Sequence, residues 1–432
     1  MPVAYGVMGN RVLRWIYLLD MASLIVAVAV ASLFVFATAL PWTTSTPGPI
    51  WPFLTMLFAG GTVGSYMSAR AWGKTAPRPT YGRAVAIVGF GAAFAALGLV
   101  LTRVYWSRPM FASTIAVWLG LALTHRAVLR RRPWTEQMVI VTGEKQLAED
   151  IRNTQHAEVV AVFESGEEPP DEPLAENVSV VVDLRGVLSE SMAQYVSSAS
   201  IAGYRVRSLS EAYEEHTGRI PMVHLAEGWE LAQPVARSGY APAKRAIDLV
   251  LTVITAPIWL ILGAVVWSAV KLDSPGSAIY HQKRLGRNNR PFTLHKFRTM
   301  VVDAEEDGPR FAAPDDPRIT RVGRFLRMSR LDEIPQLWDV IRGDLSIVGP
   351  RPERPVFVEE YENSIPFYGS RHLIRPGVTG WAQVNYGYAD DEAEAVEKLT
   401  YDLYYVKHSS IWFDLQILGM SIWTVLSGFG AR

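Results

Sequence analysis

The sequence predicts a membrane protein in three parts: a four-helix transmembrane bundle, a degenerate Rossmann-like α/β domain, and a second α/β domain that carries a re-entrant membrane helix. Three observations carry that expectation. Apolar residues crowd into long runs before about residue 130, a membrane signature rather than a larger soluble core. Short β-branched runs then alternate with polar helical stretches. A hydrophobic segment interrupted by Pro257 opens the last part of the chain.

Composition narrows the classes. Of 432 residues, 42 are Lys or Arg and 42 are Asp or Glu, so net charge favours neither a nucleic-acid partner nor a polyacidic role. The absence of cysteine excludes disulfides, thiolate metal sites and a cysteine nucleophile. The opening MPVAYGVMGNRVLRW leads into an apolar run too long for a cleaved signal, with no small-residue cleavage site after it.

Residues 15–40, 51–72, 84–102 and 110–129 are each long enough to cross a hydrocarbon core and make residues 1–132 a four-span bundle. Arg11 and Arg14 precede the first span, and the loop PWTTSTPGPI after it is uncharged. Arg70, Lys74, Arg78 and Arg83 surround the next loop, and Arg126, Arg130, Arg131 and Arg132 close the fourth span. Arg103 and Arg108 dissent but are outnumbered, so both ends of the bundle are expected in the cytosol.

Residues 133–232 read as a small parallel α/β domain. MVIVTG, VVAVFE, VSVVVDL and YRVRSL are candidate strands, separated by stretches such as KQLAEDIRNTQ. A dinucleotide site needs several glycines in its first turn. VIVTGEKQLAED supplies only Gly143, and Glu144 beside it repels phosphate. The expectation is a regulatory or assembly module without a redox cofactor.

Beyond the linker AQPVARSGYAP, the domain 240–432 begins with a hydrophobic helix over 244–271 that is long enough to span. Lys244 and Arg245 before it, and Lys271, Lys283, Arg284, Arg287 and Arg290 after it, favour the same cytosolic face for both ends. Pro257 removes a helical hydrogen bond near the middle and kinks the axis. The helix is therefore expected to dip into one leaflet and return.

Further on, LDEIPQLWDVIRGDLSIVGPRP sets Asp332 and Glu333 ahead of a proline and holds Arg351 between two prolines. Alone, the acids fit a helix start, where carboxylates and proline are both favoured. The surrounding order of motifs is more specific. KRAIDLVLTV, SPGSAIYHQKRLGRNNRPFTLHKFRTM, RITRVGRFLRMSRLDEIPQLWDVIRGDLSIVGPRPE, RPGVTGWAQVNYG and YDLYYVKHSSIWFDLQIL follow one another over residues 240–432. This order resembles the bacterial sugar transferase family, the monotopic polyprenyl-phosphate phosphoglycosyl transferases. The four spans and Rossmann-like domain ahead of it resemble the family's long members.

The resemblance implies transfer of a hexose 1-phosphate from a UDP-sugar to undecaprenyl phosphate, releasing UMP and requiring magnesium (Mg2+). That is the first membrane step of exopolysaccharide, capsule or O-antigen lipopolysaccharide synthesis. It also implies a place at the bacterial inner membrane, with the catalytic domain on the cytosolic face. By match to the family motif, Asp332 is the nucleophile and a metal ligand, Glu333 its partner, and Arg327 and Arg351 bind substrate phosphate. One departure is visible: many short members have Ser-Pro at the helix break, where this chain has Ala256-Pro257. A hydroxyl able to bond a freed carbonyl is thereby lost.

The chemistry calls for such groups. A carboxylate attacking phosphorus splits one displacement into two, and magnesium on one or two carboxylates offsets charge on the diphosphate. Guanidinium groups bind phosphate oxygens bidentately. Lys296 and Arg298 alternate with Phe297, so on a strand they share a face, toward phosphate or uridine, or toward solvent. Gln336, one turn after Asp332, would orient it or remain a surface polar group. Arg354 is expected as an exposed neighbour, His281 and His295 as structural residues, Asp339 and Asp344 as capping or solvated. IWFDLQILGMSIWTVLSG is expected at the membrane interface because Asp414 and Gln416 interrupt it. Two other functions stay open: an inactive membrane scaffold for polysaccharide assembly, and a nucleotide-sugar diphosphate hydrolase. No residue sets the sugar, or whether the chain forms a homodimer.

Overall fold

The structure, a computed structural model, describes residues 10–41, 50–71, 81–102, 107–130, 135–170, 174–175, 178–227, 240–304, 316–386 and 392–427. They form two compact units, Met1–Ala212 and Tyr213–Arg432.

The first unit opens with helices α1 (Asn10–Phe36), α2 (Ile50–Ala71), α3 (Tyr81–Thr102) and α4 (Arg108–Arg130). Their shared core is Leu24, Ala27 and Ala31 of α1, Phe53 and Leu57 of α2, Ile87 and Ala95 of α3, and Met110 and Trp118 of α4. Small residues let α2 and α3 touch backbone to backbone. A Cβ on Gly60 would lie 2.5 Å from the Phe90 carbonyl oxygen, and one on Gly64 2.9 Å from the Ile87 Cα. Among the described residues, four helices are long and apolar enough to cross a membrane: Trp15–Phe36, Tyr81–Leu101, Arg108–Leu129 and Ala256–Asp273. The second expected span, α2, has the length but is not among them. The same Gly60, Gly61, Thr62, Gly64 and Ser65 that allow close packing lower its hydropathy. Lys74, Arg78, Arg103, Arg131 and Arg132, the loop 42–49 and the linker residues 232–239 lie outside the described residues.

After the bundle come β1 (Glu136–Val141), α5 (Lys145–Arg152), β2 (Ala157–Phe163), β3 (Ser179–Val182), α6 (Glu190–Ile201), β4 (Arg205–Ser208) and α7 (Leu209–Thr217). The four strands form one parallel sheet, order β2–β1–β3–β4. β3 is buried along its whole length, which is why its sequence is a continuous valine run rather than an alternation. Beyond the ends of β1 and β3, Thr142 Oγ1 donates to Asp183 Oδ2 at 3.0 Å. A Cβ on Gly143 would meet nothing within 4 Å, so no close backbone approach depends on that glycine.

The second unit includes residues 213–227. Ile220 and Leu225 there bury against Val358, Ile365, Tyr368, Leu399 and Leu403. The hydrophobic segment is two helices, α8 (Tyr240–Ile254) and α9 (Ala256–Asp273), separated at Thr255. Pro257 lies in the first turn of α9, where its missing N–H costs little. Thr255 Oγ1 donates to the Leu251 carbonyl at 2.7 Å, and the Trp259 indole donates to the Thr252 carbonyl at 3.0 Å. A hydroxyl thus stands one residue before Ala256, and it back-bonds the Leu251 carbonyl, which also accepts from Thr255 N, and reaches the Thr252 carbonyl at 3.3 Å.

Both arms of this broken helix are tied to the same α/β body. Arg245 donates to the Val340 and Ile341 carbonyls at 2.5 and 2.8 Å, and Asp248 accepts from Ser346 Oγ at 2.8 Å. On the other arm, Val266 and Val270 pack with Ala278, Phe297 and Leu326. The apolar side chains nearest the break, Val253, Ile254, Ile258 and Ile261, are exposed.

The body comprises β5 (Ile279–Leu285) and β6 (Pro291–Phe297), α10 (Arg321–Ser329), α11 (Gln336–Arg342), β7 (Ser346–Val348), α12 (Pro355–Ser364), β8 (Gly377–Thr379), α13 (Trp381–Asn385), α14 (Glu392–His408) and α15 (Ile411–Ser427). β5 and β6 form an antiparallel hairpin, Ile279 opposite Phe297 through Leu285 opposite Pro291. β7 and β8 run parallel. Asp414 of α15 is not an interfacial polar edge. It is buried, accepting from Tyr240 Oη at 2.6 Å and Tyr405 Oη at 2.7 Å and pairing with Lys244. It thereby ties α15 to the start of α8, while Ile411, Trp412, Leu415 and Ile422 stay exposed.

Candidate active site

The carboxylate pair sits on a reversal of the chain. Thr320 caps α10, its Oγ1 accepting from Gly323 N at 2.9 Å, and α10 ends at Arg330 in the left-handed region (φ 58°). The short 3₁₀ turn Leu331–Glu333 follows, and Pro335 starts α11. α11 is clamped to β6 by Asp339, which accepts from His295 Nδ1 at 2.6 Å and His295 N at 3.0 Å. Asp339 thus locks two elements together by its side chain instead of capping its own helix. Asp344 pairs with Arg342 at 3.3 Å, and the His281 ring packs edge-on against His295.

After β7, the Gly-Pro-Arg-Pro loop brings Arg351 back to the turn. A Cβ on Gly349 would come within 2.5 Å of the Arg375 carbonyl oxygen and 2.8 Å of Gly377 N. Only a glycine lets this loop lie against the backbone leading into β8.

Three donors then meet at one atom. Glu333 Oε1 accepts from Lys296 Nζ at 3.2 Å and from Arg351 Nη1 and Nη2 at 3.2 and 3.1 Å. Among the described residues, Oε2 accepts nothing, and no hydrogen bond holds the Asp332 carboxylate. Burial pushes Asp332 up to about 6; Lys296 pulls it back, the Glu333 charge adds to the rise, and Arg351 and Arg327 oppose it. Burial also acts to raise Glu333, but Lys296, Arg351 and Arg330 outweigh it and hold that carboxyl well below the usual range. One carboxylate is pinned and charged. Its neighbour is unpinned and titrates closer to neutrality.

The pair lines a cavity of about 300 Å³ together with Lys296, Arg298, Arg327 and Arg351. Arg298 spends its Nη2 on the Ser274 carbonyl and hydroxyl at 2.8 and 2.9 Å, anchoring the end of α9 as well as facing the cavity. Arg354 lines the cavity too. Gln336 is buried, its Nε2 has no partner, and no hydrogen bond joins it to Asp332 among the described residues.

Sequence reasoning missed the ionic floor of this cavity. Glu353 Oε1 accepts from Lys398 at 2.6 Å and Oε2 from Arg284 at 3.2 Å. Arg371 donates to Asp402 Oδ2 and Tyr368 Oη, both at 2.6 Å, and to the Arg351 carbonyl at 3.0 Å. Burial acts to raise Glu353, yet Lys398, Arg371 and Arg284 hold it down at about 2. Glu353 directly follows the GPRP motif, which was the available signal. Arg371 lies on the 3₁₀ turn Tyr368–Leu373 and Lys398 on α14, with no motif around either. A second, mostly apolar cavity of about 240 Å³ opens on the other side of the turn, lined by Ile334, Leu337, Val378 and Val384, and shares Arg330 and Glu333 with the first.

These donors suit a divalent cation held jointly with phosphate. Magnesium takes one or two carboxylates together with phosphate oxygens and waters rather than a complete protein cage. Among the described residues, no group of three His, Cys, Asp or Glu forms such a cage, but Asp332 and the unbonded Oε2 of Glu333 supply two oxygens on the cavity wall.

Fold and site together define a membrane-associated protein with a guanidinium-rich, carboxylate-bearing anion cavity. Residues 239–428 match the family described as Bacterial sugar transferase. The chain belongs to that family. It is 40% identical over 255 residues to the UDP-N-acetylgalactosamine-undecaprenyl-phosphate N-acetylgalactosaminephosphotransferase of Aeromonas hydrophila, covering 59% of this chain and 60% of that protein. It is 41% identical over 191 residues to the UDP-glucose:undecaprenyl-phosphate glucose-1-phosphate transferase of Escherichia coli, covering 43% and 40%. A protein of the same name from Caulobacter vibrioides is 40% identical over 202 residues, covering 45% and 73%. The match thus spans less than two thirds of the first two relatives.

Proposed function

We propose that the chain transfers a sugar 1-phosphate from a UDP-sugar to undecaprenyl phosphate, in two displacements through Asp332. The observation that carries this is the unequal carboxylate pair: Glu333 pinned by Lys296 and Arg351, Asp332 unpinned beside it in a cationic cavity. An Asp332 oxygen attacks the phosphorus that bears the sugar. The bond from that phosphorus to the bridging oxygen breaks, and UMP leaves with the electron pair. A phosphate oxygen of the acceptor then attacks the same phosphorus and expels the Asp332 carboxylate. The product is a polyprenyl diphosphate sugar, and the enzyme is regenerated.

Arg327 and Arg351 bind the diphosphate oxygens, and Lys296 and Arg298 face the same space. Asp332 and Glu333 would hold magnesium, which when bound offsets the negative charge of the diphosphate. The acceptor reaches the reacting phosphorus from the apolar cavity, its isoprenyl end against Leu337 and Val384 and its phosphate toward Arg330. The broken helix α8–α9 enters one leaflet and returns, supported by two anchored arms and an exposed apolar tip. Basic flanks put both arms on the cytosolic face of the inner membrane, where nucleotide sugars are supplied.

Full-length protein in lipid nanodiscs, given a panel of UDP-sugars, should release at most one equivalent of UMP per enzyme without undecaprenyl phosphate and many equivalents with it. No UMP with any sugar would leave the scaffold. Sustained UMP release without the lipid acceptor would make the protein a hydrolase.

A further inference from the structure

The amino-terminal bundle buries a charge cluster that the transfer reaction does not use. Asp20 of α1 is fully buried, and Arg126 of α4 donates Nη1 and Nη2 to its two oxygens at 2.6 and 2.8 Å. His125 Nε2 lies 3.0 Å from the same Oδ1, so the carboxylate is fully engaged. A second guanidinium, Arg83 in the first turn of α3, is 7% exposed and within electrostatic reach of both Asp20 and Arg126. Its Nε is buried without a partner, and no hydrogen bond or ion pair to Arg83 exists among the described residues.

The bundle has no further acid to offer. Asp20 is the only acidic residue before Glu136. The cluster therefore sets two permanent guanidinium charges against one carboxylate. It also lies near the ends of its spans: Asp20 follows the start at Trp15, Arg83 follows the start at Tyr81, and Arg126 precedes the end at Leu129. That puts the cluster within about 8 Å of one end of the apolar spans rather than at their midpoint, where a long guanidinium side chain can reach the level of lipid phosphates. A charge buried there without a counter-ion is strongly unfavourable, and basic pockets between transmembrane helices are suited to anionic head groups.

We propose that Arg83, backed by the Asp20–Arg126 pair, binds a phosphate-bearing anion at this end of the bundle, and that the ligand is an anionic phospholipid head group. The planar guanidinium offers a bidentate fork to phosphate oxygens, and the ligand supplies the negative charge that the helices lack. Asp20 holds Arg126 in place and keeps it from competing as the principal contact.

The test uses the full chain, delipidated in neutral detergent and titrated separately with phosphatidylglycerol, phosphatidylcholine and inorganic phosphate. Native mass spectrometry should show retained phosphatidylglycerol but not phosphatidylcholine, and Tm should rise with phosphatidylglycerol alone. Arg83→Gln should lose both the retained lipid and the Tm rise. A Tm rise with inorganic phosphate equal to that with lipid, also lost in Arg83→Gln, would support the anion site and assign it a soluble ligand. Equal retention and equal Tm response in the wild type and Arg83→Gln would overturn the proposal. If Arg83→Gln does not fold, the wild type decides: identical responses to the two lipids and none to phosphate overturn it.

Discussion

Arg371→Met should unseat the floor of the cavity, and its cost can be worked from the structure. Arg371 and Asp402 are both buried, paired at 2.6 Å, and Arg371 also holds Tyr368 Oη and the Arg351 carbonyl. Removing one partner of a buried ion pair costs about 3–5 kcal/mol, because the other charge is left without compensation. For a unit of this size each kcal/mol shifts Tm by about 2–4 °C, which gives a fall of roughly 6–20 °C by differential scanning fluorimetry in detergent. The double variant Arg371→Met, Asp402→Leu should recover most of that loss, since no unpaired charge remains. The single variant should also be weaker at higher pH. A lone buried carboxyl has a folded pKa above its unfolded value, so its contribution is present at low pH and is lost as pH rises. A fall smaller than about 3 °C, or a double variant no better than the single, would refute the reasoning.

Formation of the sugar-phosphate adduct should rise with pH through about 6, because Asp332 must be ionised to attack and burial raises its proton affinity; a flat stopped-flow profile across that range would contradict this. Lys296→Met removes a charge that lowers Asp332, so the same limb should move to higher pH. Leu337→Trp, which fills the apolar cavity, should raise KM for undecaprenyl phosphate by about tenfold, ~1.4 kcal/mol, while leaving adduct formation intact; equal loss in both half-reactions would count against the acceptor route. Single cysteines at the exposed Ala243 and Lys283 positions of this cysteine-free chain should both resist an impermeant maleimide outside intact spheroplasts. Labelling at Lys283 alone would mean that α8–α9 crosses, as Pro257→Ala should make it do.

Much of this was legible because hydropathy and strand patterns are local. The bundle helices, the valine-rich strand Ser179–Val182 and the turn bearing Asp332 and Glu333 all follow from short-range rules. What the sequence hid was long-range. Asp414 reads as the polar edge of an interfacial helix, yet it is the partner of Tyr240 and Lys244, more than 150 positions away. Asp339 reads as a helix cap, yet it accepts from His295 on strand β6. Arg284, Glu353, Arg371 and Lys398 come from four separate elements, and nothing in their spacing announces that they meet. Thr255 is the opposite lesson: a hydroxyl at the helix break stands one residue from where it was sought, and donates to the Leu251 and Thr252 carbonyls.

The central claim is that Asp332 becomes bonded to the sugar phosphate while Glu333 does not. Full-length protein incubated with UDP-sugar and magnesium but no acceptor should be acid-quenched and measured intact by mass spectrometry, with the adduct site mapped by proteolysis. The account predicts a mass increase of one sugar phosphate on Asp332, discharged by undecaprenyl phosphate, and no adduct in Asp332→Asn. Glu333→Gln should still form some adduct but turn over poorly. An adduct mapped to Glu333, or full transfer by Asp332→Asn, would contradict the account and favour direct attack by the acceptor phosphate.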